Sequence, residues 1–466
     1  MQSTLFRPAL EPVPRAWESA RSELAALQRL ALPLIFANVG QVLIGVVDTA
    51  IVGRLGSVEL AGAGLGNTIH FTVAVLGLGV LSGLDPLFAQ AFGAGERRRA
   101  GQLLVQGAWL ALLLSVPLCA LELGIGFALE RFGIRADVAV AARDYLFGRA
   151  PGLLPFLLFA GTRSCLQAAA LTRPLIAATL GANAVNLVLG VALAFGDRAL
   201  LELGLPGIGL PALGVFGAAL AGTAATWSQA LVLSAAARSH GFCAGPARPR
   251  AADLGRVLAL GVPIGAQMLA EFTAFGLVHL LVGVLDGESL ASHQLAITLA
   301  SATFMVPLAL GNAASARVGG AVGSGDTPRA RRAGLVAIAV AALFMTCAAI
   351  TMLIGPRALA RSFTDQAAVI ESAVPLLWIA ALFQISDGVQ AVAAGALRGA
   401  GDTRFPLVLN LAAHFGVGLP AGLLLAHGFG LGARGLWWGL SIALCCVAAG
   451  LSARFLRLTA RPLARV

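Results

Sequence analysis

The 466-residue chain has no lysine, and only 12% of its residues carry a charge. Soluble domains usually have about 25% charged residues, so the composition excludes an ordinary soluble protein. The missing lysine also excludes a nucleotide-driven pump with a glycine-rich phosphate loop, because that loop needs a lysine. The chain instead has 58% hydrophobic residues, 57 glycines and a mean hydropathy of +0.87. This composition indicates an integral membrane protein of closely packed helices.

Sequence patterns of common membrane chemistry are also missing. The chain has no DDxxD, HExxH or CxxCH pattern, so we expect neither an enzyme nor a cofactor. Its six cysteines show no metal or disulfide spacing and are predicted to be free thiols. The net charge is +10, but the arginines lie mostly between apolar runs rather than in basic patches interleaved with aromatics. We therefore expect no nucleic-acid partner.

Twelve apolar runs are each long enough to cross a bilayer, which takes about 20 residues as a helix. They predict an all-α protein of about 12 transmembrane helices, six on each side of a polar stretch. We divide the chain into an N-terminal tail (1–23), an N-lobe (24–237), a linker (238–256), a C-lobe (257–458) and a C-terminal tail (459–466). The runs lie near 28–52, 64–90, 103–129, 145–170, 174–196, 213–237, 257–284, 290–316, 333–355, 372–397, 405–427 and 435–456.

The two halves resemble each other at a fixed offset. "PLIFANVGQVL" begins at Pro33 and "PIGAQMLAEFT" at Pro263, and 263 − 33 = 230. "GAGERRRA" begins at Gly93 and "GSGDTPRA" at Gly323, and 323 − 93 is again 230. Six helices in each copy mean that both halves enter the membrane from the same side. The sequence therefore predicts a parallel repeat about an axis along the membrane normal.

Arginine placement predicts the orientation, because cytoplasmic loops are enriched in basic residues. Arginines follow the second and eighth runs and also occur in the linker and near the C-terminal end. These four segments lie on one side of the membrane. We expect that side to be the cytoplasm, with both termini inside. One segment on the other side disagrees, after the third run; it holds Arg131, Arg135, Arg143 and Arg149.

Three acids lie well inside the apolar runs: Asp48 in the first, Glu271 in the seventh and Asp387 in the tenth. A charge at the centre of a membrane helix costs at least ~2.5 kcal/mol on insertion scales. Carboxylates kept there typically mark ion or proton routes, and the alternative is a hydrogen-bonded packing role. Asp85 and Glu122 lie nearer the ends of their runs, and we assign them interfacial or structural roles.

Three further residues are auxiliary candidates. His279 follows Glu271 by eight residues, about two helical turns, and so lies on nearly the same face. It either shares a cavity with Glu271 or is a packing histidine. Asn183 and Asn186, in the fifth run, either coordinate an ion or hydrogen-bond a neighbouring helix.

Three segments carry a resemblance to a known family: "VVDTAIVGRLGSVELAG", "LASHQLAITLASATFMVPLALGNAASARVGGAVGSGD" and "LFQISDGVQAVAAGALRGAGDTRFP". They resemble the multidrug and toxic compound extrusion (MATE) family, NorM-like branch, from Pro33 to the twelfth run. The resemblance implies two six-helix lobes in a V, alternating access, and drug export coupled to Na⁺ or H⁺. It also implies small-molecule drugs and organic cations as substrates, the bacterial inner membrane as location, and a monomer.

The resemblance also implies roles for residues. Asp48 matches the family's first-helix acid, Glu271 its seventh-helix acid and Asp387 its tenth-helix acid, and all three are candidate cation or proton coupling residues, with no metal expected beyond Na⁺. Family members often have a second amide or acid one turn after the fifth-helix asparagine. Here Gly190 follows Asn186 at that spacing, which puts a cation site in the N-lobe in doubt.

Two other functions are weighed against this one. A flippase of lipid-linked oligosaccharides from the same superfamily is expected to have a cationic central cavity, whereas the mid-membrane charges of this chain are mostly acids. A membrane-embedded enzyme or a regulatory scaffold is disfavoured because no catalytic cluster is present.

Overall fold

The structure is a computed structural model that describes residues 20–202, 207, 209–242, 248–285 and 287–466. Residues 1–19 of the predicted N-terminal tail, and Cys243 in the linker, lie outside the described residues. The remaining five cysteines are free thiols.

The described residues form helices and the turns between them, which confirms the all-α prediction. Helices α1 to α9 build the N-lobe, and α10 to α17 build the C-lobe. The helices are α1 (Ala20–Gly53), α2 (Ser57–Leu81), α3 (Leu84–Gly93), α4 (Arg97–Ala128), α5 (Ala136–Arg149), α6 (Leu153–Ala168), α7 (Arg173–Phe195), α8 (Asp197–Glu202), α9 (Gly214–Ser239), α10 (Ala251–Leu285), α11 (Gly287–Gly323), α12 (Thr327–Ile354), α13 (Pro356–Arg361), α14 (Ala367–Gly399), α15 (Arg404–Leu411), α16 (Leu419–Leu423) and α17 (Ala433–Leu458).

Eleven spans in the described part of the chain are long and apolar enough to cross a membrane. They fall at eleven of the twelve predicted runs. The remaining run corresponds to α5 and α6, which a 3₁₀ turn at Ala150–Gly152 separates. Pro151 has no backbone N–H and so favours the break there, and the more polar α5 lowers the apolar character of this pair. The chain is therefore a multi-pass membrane protein.

The repeat is visible in the helices, although the two copies are not identical. In the N-lobe, α2 and α3 are separated by a break at Ser82–Gly83, whereas the equivalent α11 is continuous. In the C-lobe, the stretch after α15 contains two π-helical segments, Ala412–Gly418 and Leu424–Gly428. π segments inside α-helices often occur at functional sites because they re-aim side chains.

The lobes pack together at one end, which we call the arginine-rich end because it carries Arg97–Arg99 and Arg329–Arg332. There α2 packs on α10, and α3 packs on α11. Glycines allow the backbones to touch: a Cβ on Gly79 would lie 2.1 Å from the Gly265 Cα, and one on Gly93 would lie 2.0 Å from the Gly320 oxygen. This junction leaves no room for side chains between the two backbones.

The glycine contact gives a first prediction. A Cβ on Gly261 would lie 1.8 Å from the Val80 carbonyl oxygen, so Gly261→Val must push α10 away from α2. We expect it to lower the stability of the purified protein by at least about 2 kcal/mol, the usual scale for overpacking. Gly255→Val is the matched control on the same helix, because a Cβ there meets nothing within 4 Å. Equal melting temperatures for the two variants would contradict this account of the junction.

Ion pairs also join the lobes at the arginine-rich end. Glu23 of α1 is 1% exposed and contacts two C-lobe arginines: Arg317 (2.5 Å) and Arg329 (3.8 Å). Asp85 of α3 pairs with Arg398 of α14 at 3.3 Å. These contacts account for the structural role assigned to Asp85. They also hold the part of α1 that precedes its apolar run against the C-lobe.

Further pairs tie the linker region and the chain end to the same junction. Asp253 of α10 forms two hydrogen bonds with Arg99 of α4, at 2.5 and 3.1 Å. Arg465 pairs with Glu96 at 2.9 Å. The first pair explains why α10 begins at Ala251, six residues before the predicted apolar run.

The arginine segment that disagreed with the predicted orientation is only partly a loop. Arg135 pairs with Asp137 at 2.9 Å, and Arg143 of α5 pairs with Glu130 at 3.8 Å. Arg149 is the last residue of α5 and lies inside the N-lobe. This position agrees with the fourth predicted run, near 145–170, which includes Arg149.

Candidate functional site

The C-lobe brings two of the three predicted acids to one amide. Gln390 of α14 donates from Nε2 to Glu271 Oε1 of α10 at 2.8 Å, and the same nitrogen lies 3.4 Å from Asp387 Oδ1. Asn410 of α15 completes the group, with Nδ2 3.5 Å from Glu271 Oε2. Gln390 is one turn after Asp387 on α14, so both face α10. We call these four residues the C-lobe cluster.

Three of the four cluster residues are deeply buried. Asp387 is 7% exposed, Gln390 1% and Asn410 0%, and Glu271 is half-buried. Gln390 Oε1 and Asn410 Oδ1 are both buried without a hydrogen-bond partner. Buried amide oxygens normally have a partner, so these two atoms are available to a ligand that is a donor or a cation.

The start of the π-helical stretch lies beside this cluster. His414, in Ala412–Gly418, is 2% exposed and its Nδ1 lies 3.1 Å from the Asn410 carbonyl oxygen. Its Nε2 has no hydrogen-bond partner. The wider π turn places His414 one turn from Asn410 in the buried interior, so a titratable ring lies next to the cluster.

The chemistry of these groups suits a small hard cation or a proton. Carboxylate and amide oxygens are the ligands that hard cations prefer. Two carboxylates that share one amide repel each other in a low-dielectric interior unless a proton or cation lies with them. The C-lobe cluster is therefore able to take up a monovalent cation or a proton.

The third acid lies in the N-lobe. Asp48 of α1 is half-buried, and its Oδ1 accepts a hydrogen bond from Asn186 Nδ2 of α7 at 2.7 Å. Asn183, one turn earlier, donates instead to the carbonyl oxygens of Gly40 and Thr179, both at 2.9 Å. Of the two asparagines, Asn186 contacts the acid and Asn183 holds helices together.

A second polar group lies deeper in the N-lobe. Glu122 of α4 is 0% exposed, and its Oε1 is 2.9 Å from Nδ1 of His70 on α2. Tyr145 of α5 donates to Asn67 Oδ1 at 3.2 Å. Glu122 is thus a buried hydrogen-bonded residue, and His70 is a partner that the sequence did not indicate.

His279 lies near other rings rather than against the C-lobe cluster. Its ring centroid is 5.2 Å from that of His293 on α11. His293 Nδ1 accepts a hydrogen bond from the Trp437 indole at 3.0 Å, and Trp437 is fully buried. His279 therefore contacts an aromatic group about two turns from Glu271.

The sequence indicated the acids but missed most of their partners. Gln390, Asn410 and His414 lie in apolar runs and were not selected. The i, i+3 spacing of Asp387 and Gln390 is a signal that could have found Gln390, because both lie on one helix face. Nothing in the spacing connects Asn410 or His414 to Glu271, because they lie on a different helix.

Comparisons with known proteins agree with this architecture. The MatE family model matches residues 33–192 and 263–424, which again begin 230 residues apart (263 − 33). The chain is 37% identical to "Probable multidrug resistance protein NorM" of Deinococcus radiodurans over 94% of this chain and 96% of that protein. It is also 37% identical to "Multidrug resistance protein NorM" of Burkholderia vietnamiensis, over 92% of each.

A solved structure confirms the fold. The crystal structure of the eukaryotic MATE transporter AtDTX14 superimposes with a TM-score of 0.83 at 24% identity, over 94% of this chain and 96% of that one. The two-lobe, all-α arrangement is therefore shared with that transporter. Since the family model covers both repeats and the bacterial relatives align with almost the whole chain, the chain belongs to the MatE family of membrane transporters.

Proposed function

We propose that this transporter is a secondary active exporter of small, mostly cationic organic compounds, which it exchanges for Na⁺ or H⁺ by alternating access. The names of the bacterial relatives, multidrug resistance proteins, support drugs as the substrate class. No cofactor or catalytic chemistry enters this proposal. One chain contains both lobes, which supports a monomer as the functional unit.

The observation that carries the proposal is the C-lobe cluster. Glu271 and Asp387 share the Gln390 amide, and the cluster has two buried amide oxygens without a partner. A proton or Na⁺ bound there relieves the repulsion between the carboxylates. An organic cation bound beside the carboxylates relieves the same repulsion, so the drug and the coupling ion exclude each other.

Alternating access is supported by the way the lobes meet. The ion pairs and glycine contacts described above join them at the arginine-rich end, which we propose to be cytoplasmic with both chain termini on that side. The described arrangement is then closed toward the cytoplasm. Epitope tags at the two termini test the orientation, and labelling of a C-terminal tag from outside intact cells would overturn it.

The flippase alternative has less support. Lipid-linked oligosaccharides carry phosphates and need basic side chains in the cavity, whereas the C-lobe cluster is acidic. The N-lobe does contain Arg149, whose Nε and Nη1 are buried, but it also contains the carboxylates of Asp48 and Glu122. We therefore keep the exporter as the proposed function.

Transport in proteoliposomes tests the proposal. Proteoliposomes with ethidium on one side of the membrane are given either a Na⁺ gradient or a pH gradient, each imposed separately. We expect one gradient to drive ethidium movement at least ten-fold faster than in liposomes without protein. Asp387→Asn protein is the matched inactive control. If neither gradient drives ethidium, or if a lipid-linked sugar moves instead, the exporter proposal is wrong.

A further inference from the structure

The tail that follows α17, residues 459–466, lies along the arginine-rich end. Thr459 is 4% exposed, and Leu463 packs against buried core residues. The Leu463 N–H donates to Thr327 Oγ1 at the start of α12, at 3.0 Å. Because α12 belongs to the C-lobe, the first part of the tail is held on the lobe from which it comes.

The end of the tail reaches the N-lobe. Arg465 Nη2 lies 2.9 Å from Glu96 Oε1, and the Val466 N–H donates to Gln90 Oε1 at 2.9 Å. The Val466 side chain also covers Gly401, in the C-lobe turn between α14 and α15: a Cβ on Gly401 would lie 2.5 Å from Val466 Cγ1. Val466 therefore contacts both lobes.

Gln90 of α3 is the N-lobe residue at which these contacts converge. It is 2% exposed, and a Cβ on Gly323 of α11 would lie 2.1 Å from its carbonyl oxygen. Its side-chain Nε2 donates to the Gly399 carbonyl oxygen of α14 at 3.2 Å, while its Oε1 accepts the Val466 N–H. Both ends of this amide are therefore bonded to the C-lobe and its tail. Separation of the lobes at this end breaks both hydrogen bonds.

The tail contacts differ in strength from the other ion pairs between the lobes. Glu23, which pairs with two C-lobe arginines, has a side chain that is 0% exposed, whereas the side chains of Arg465 and Glu96 are 44% and 45% exposed. Exposed ion pairs are weak because water and salt screen them. The tail contacts with the N-lobe can therefore break and re-form with a small change in free energy, while Leu463 and Thr327 keep the tail on the C-lobe.

We propose that residues 459–466 are a strap, carried by the C-lobe, that reversibly holds the arginine-rich end closed by binding Gln90 and Glu96 of the N-lobe. Opening of this end breaks the contacts of Arg465 and Val466 and leaves those of Leu463 in place. The strap thus sets how often the lobes separate at this end. The inference rests on alternating access, part of the proposed function, only for its role in transport; separation of the lobes is measured on purified protein without transport.

Spin labels on cysteines introduced at Ser239 and Ser324 test the strap in an otherwise cysteine-free protein. Both residues are exposed at the arginine-rich end, one on each lobe. Deleting residues 460–466 should lower the ratio of closed to separated lobes about ten-fold, the combined scale of one hydrogen bond and one exposed ion pair. The same deletion in a Glu23→Gln background, where the junction has lost a buried ion pair, should show an equal shift in a range where both populations are visible.

Arg465→Gln/Val466→Pro is a second test variant, which keeps the chain length and removes the ion pair and the N–H donor. It should reproduce the shift even if the deleted protein does not fold, as judged by melting temperature. The control is Arg461→Gln, which removes an exposed arginine of the same tail four residues before the contact with Glu96 and should leave the distances unchanged. A folded Arg465→Gln/Val466→Pro protein whose distances match the wild type would overturn the proposal, and so would an equal shift in the control. Failure of ethidium transport with these distance results intact would count against the exporter function alone.

Discussion

Glu271→Gln is expected to abolish ethidium export, at least ten-fold below the wild-type rate, while the protein still folds. Glutamine has nearly the same shape as glutamate, so the contacts to Gln390 and Asn410 can re-form as amide hydrogen bonds. It carries no charge and does not titrate in this range. The variant therefore removes the repulsion that a proton or Na⁺ relieves, and the C-lobe cluster loses its ion dependence.

Equilibrium binding of a fluorescent cationic drug measures this effect directly. In the wild type, raising the coupling ion should weaken drug binding by the same factor by which the drug weakens ion binding. In Glu271→Gln the drug affinity should be nearly the same across pH 5.5–8.5, with or without Na⁺. Full wild-type ion dependence in this variant would show that Glu271 is not the coupling residue.

The shared Gln390 amide also predicts how the double variant Glu271→Gln/Asp387→Asn behaves. Because Glu271 and Asp387 both contact Gln390, their effects should not add. Asp387→Asn alone should also abolish export, and the double variant should be no worse than either single variant. Glu371→Gln is the control, since Glu371 pairs with Arg357 on the surface, 60% and 63% exposed respectively. Additive losses would indicate two independent sites.

Glu23→Gln is expected to destabilise the closed arginine-rich end. Glu23 of α1 is 1% exposed, and both Arg317 and Arg329 contact its carboxylate. Breaking a buried ion pair by removing one partner typically costs about 3–5 kcal/mol. Because the three residues join the two lobes, most of this loss of stability should affect the conformation in which the lobes are closed at this end.

The expected result is a shift of the conformational equilibrium by about two orders of magnitude, since each 1.4 kcal/mol is a factor of ten. Spin labels on cysteines introduced at Arg98 and Ser324, both exposed on either side of the junction, measure the separation of the lobes in a cysteine-free background. The Glu23→Gln distances should shift toward a wider population. Glu371→Gln removes an exposed ion pair, which contributes little to stability because water and salt screen it, and it should leave the distances unchanged. Unaltered distances in both variants would refute the role of Glu23.

The sequence by itself determined the membrane character, the position of eleven spans and the 230-residue repeat. A segment inserted in a bilayer must satisfy its own backbone hydrogen bonds, so each span is a helix of about 20 apolar residues that local composition reveals. The 230-residue offset between the two halves is likewise present in the amino-acid sequence. The acids Asp48, Glu271 and Asp387 stood out for the same reason, because a charge within an apolar run is conspicuous without knowledge of its neighbours.

Only the tertiary structure decided which groups those acids meet. Helical spacing shows which residues share a face, as for Asp387 and Gln390, but not which helix lies opposite. Asn410 reaches Glu271 because α15 packs on α10, and Asn186 reaches Asp48 because α7 packs on α1. His279 shares a face with Glu271 yet contacts His293, because that part of the face lies against α11. Partner identity comes from packing between distant segments, and packing is a property of the assembled helices.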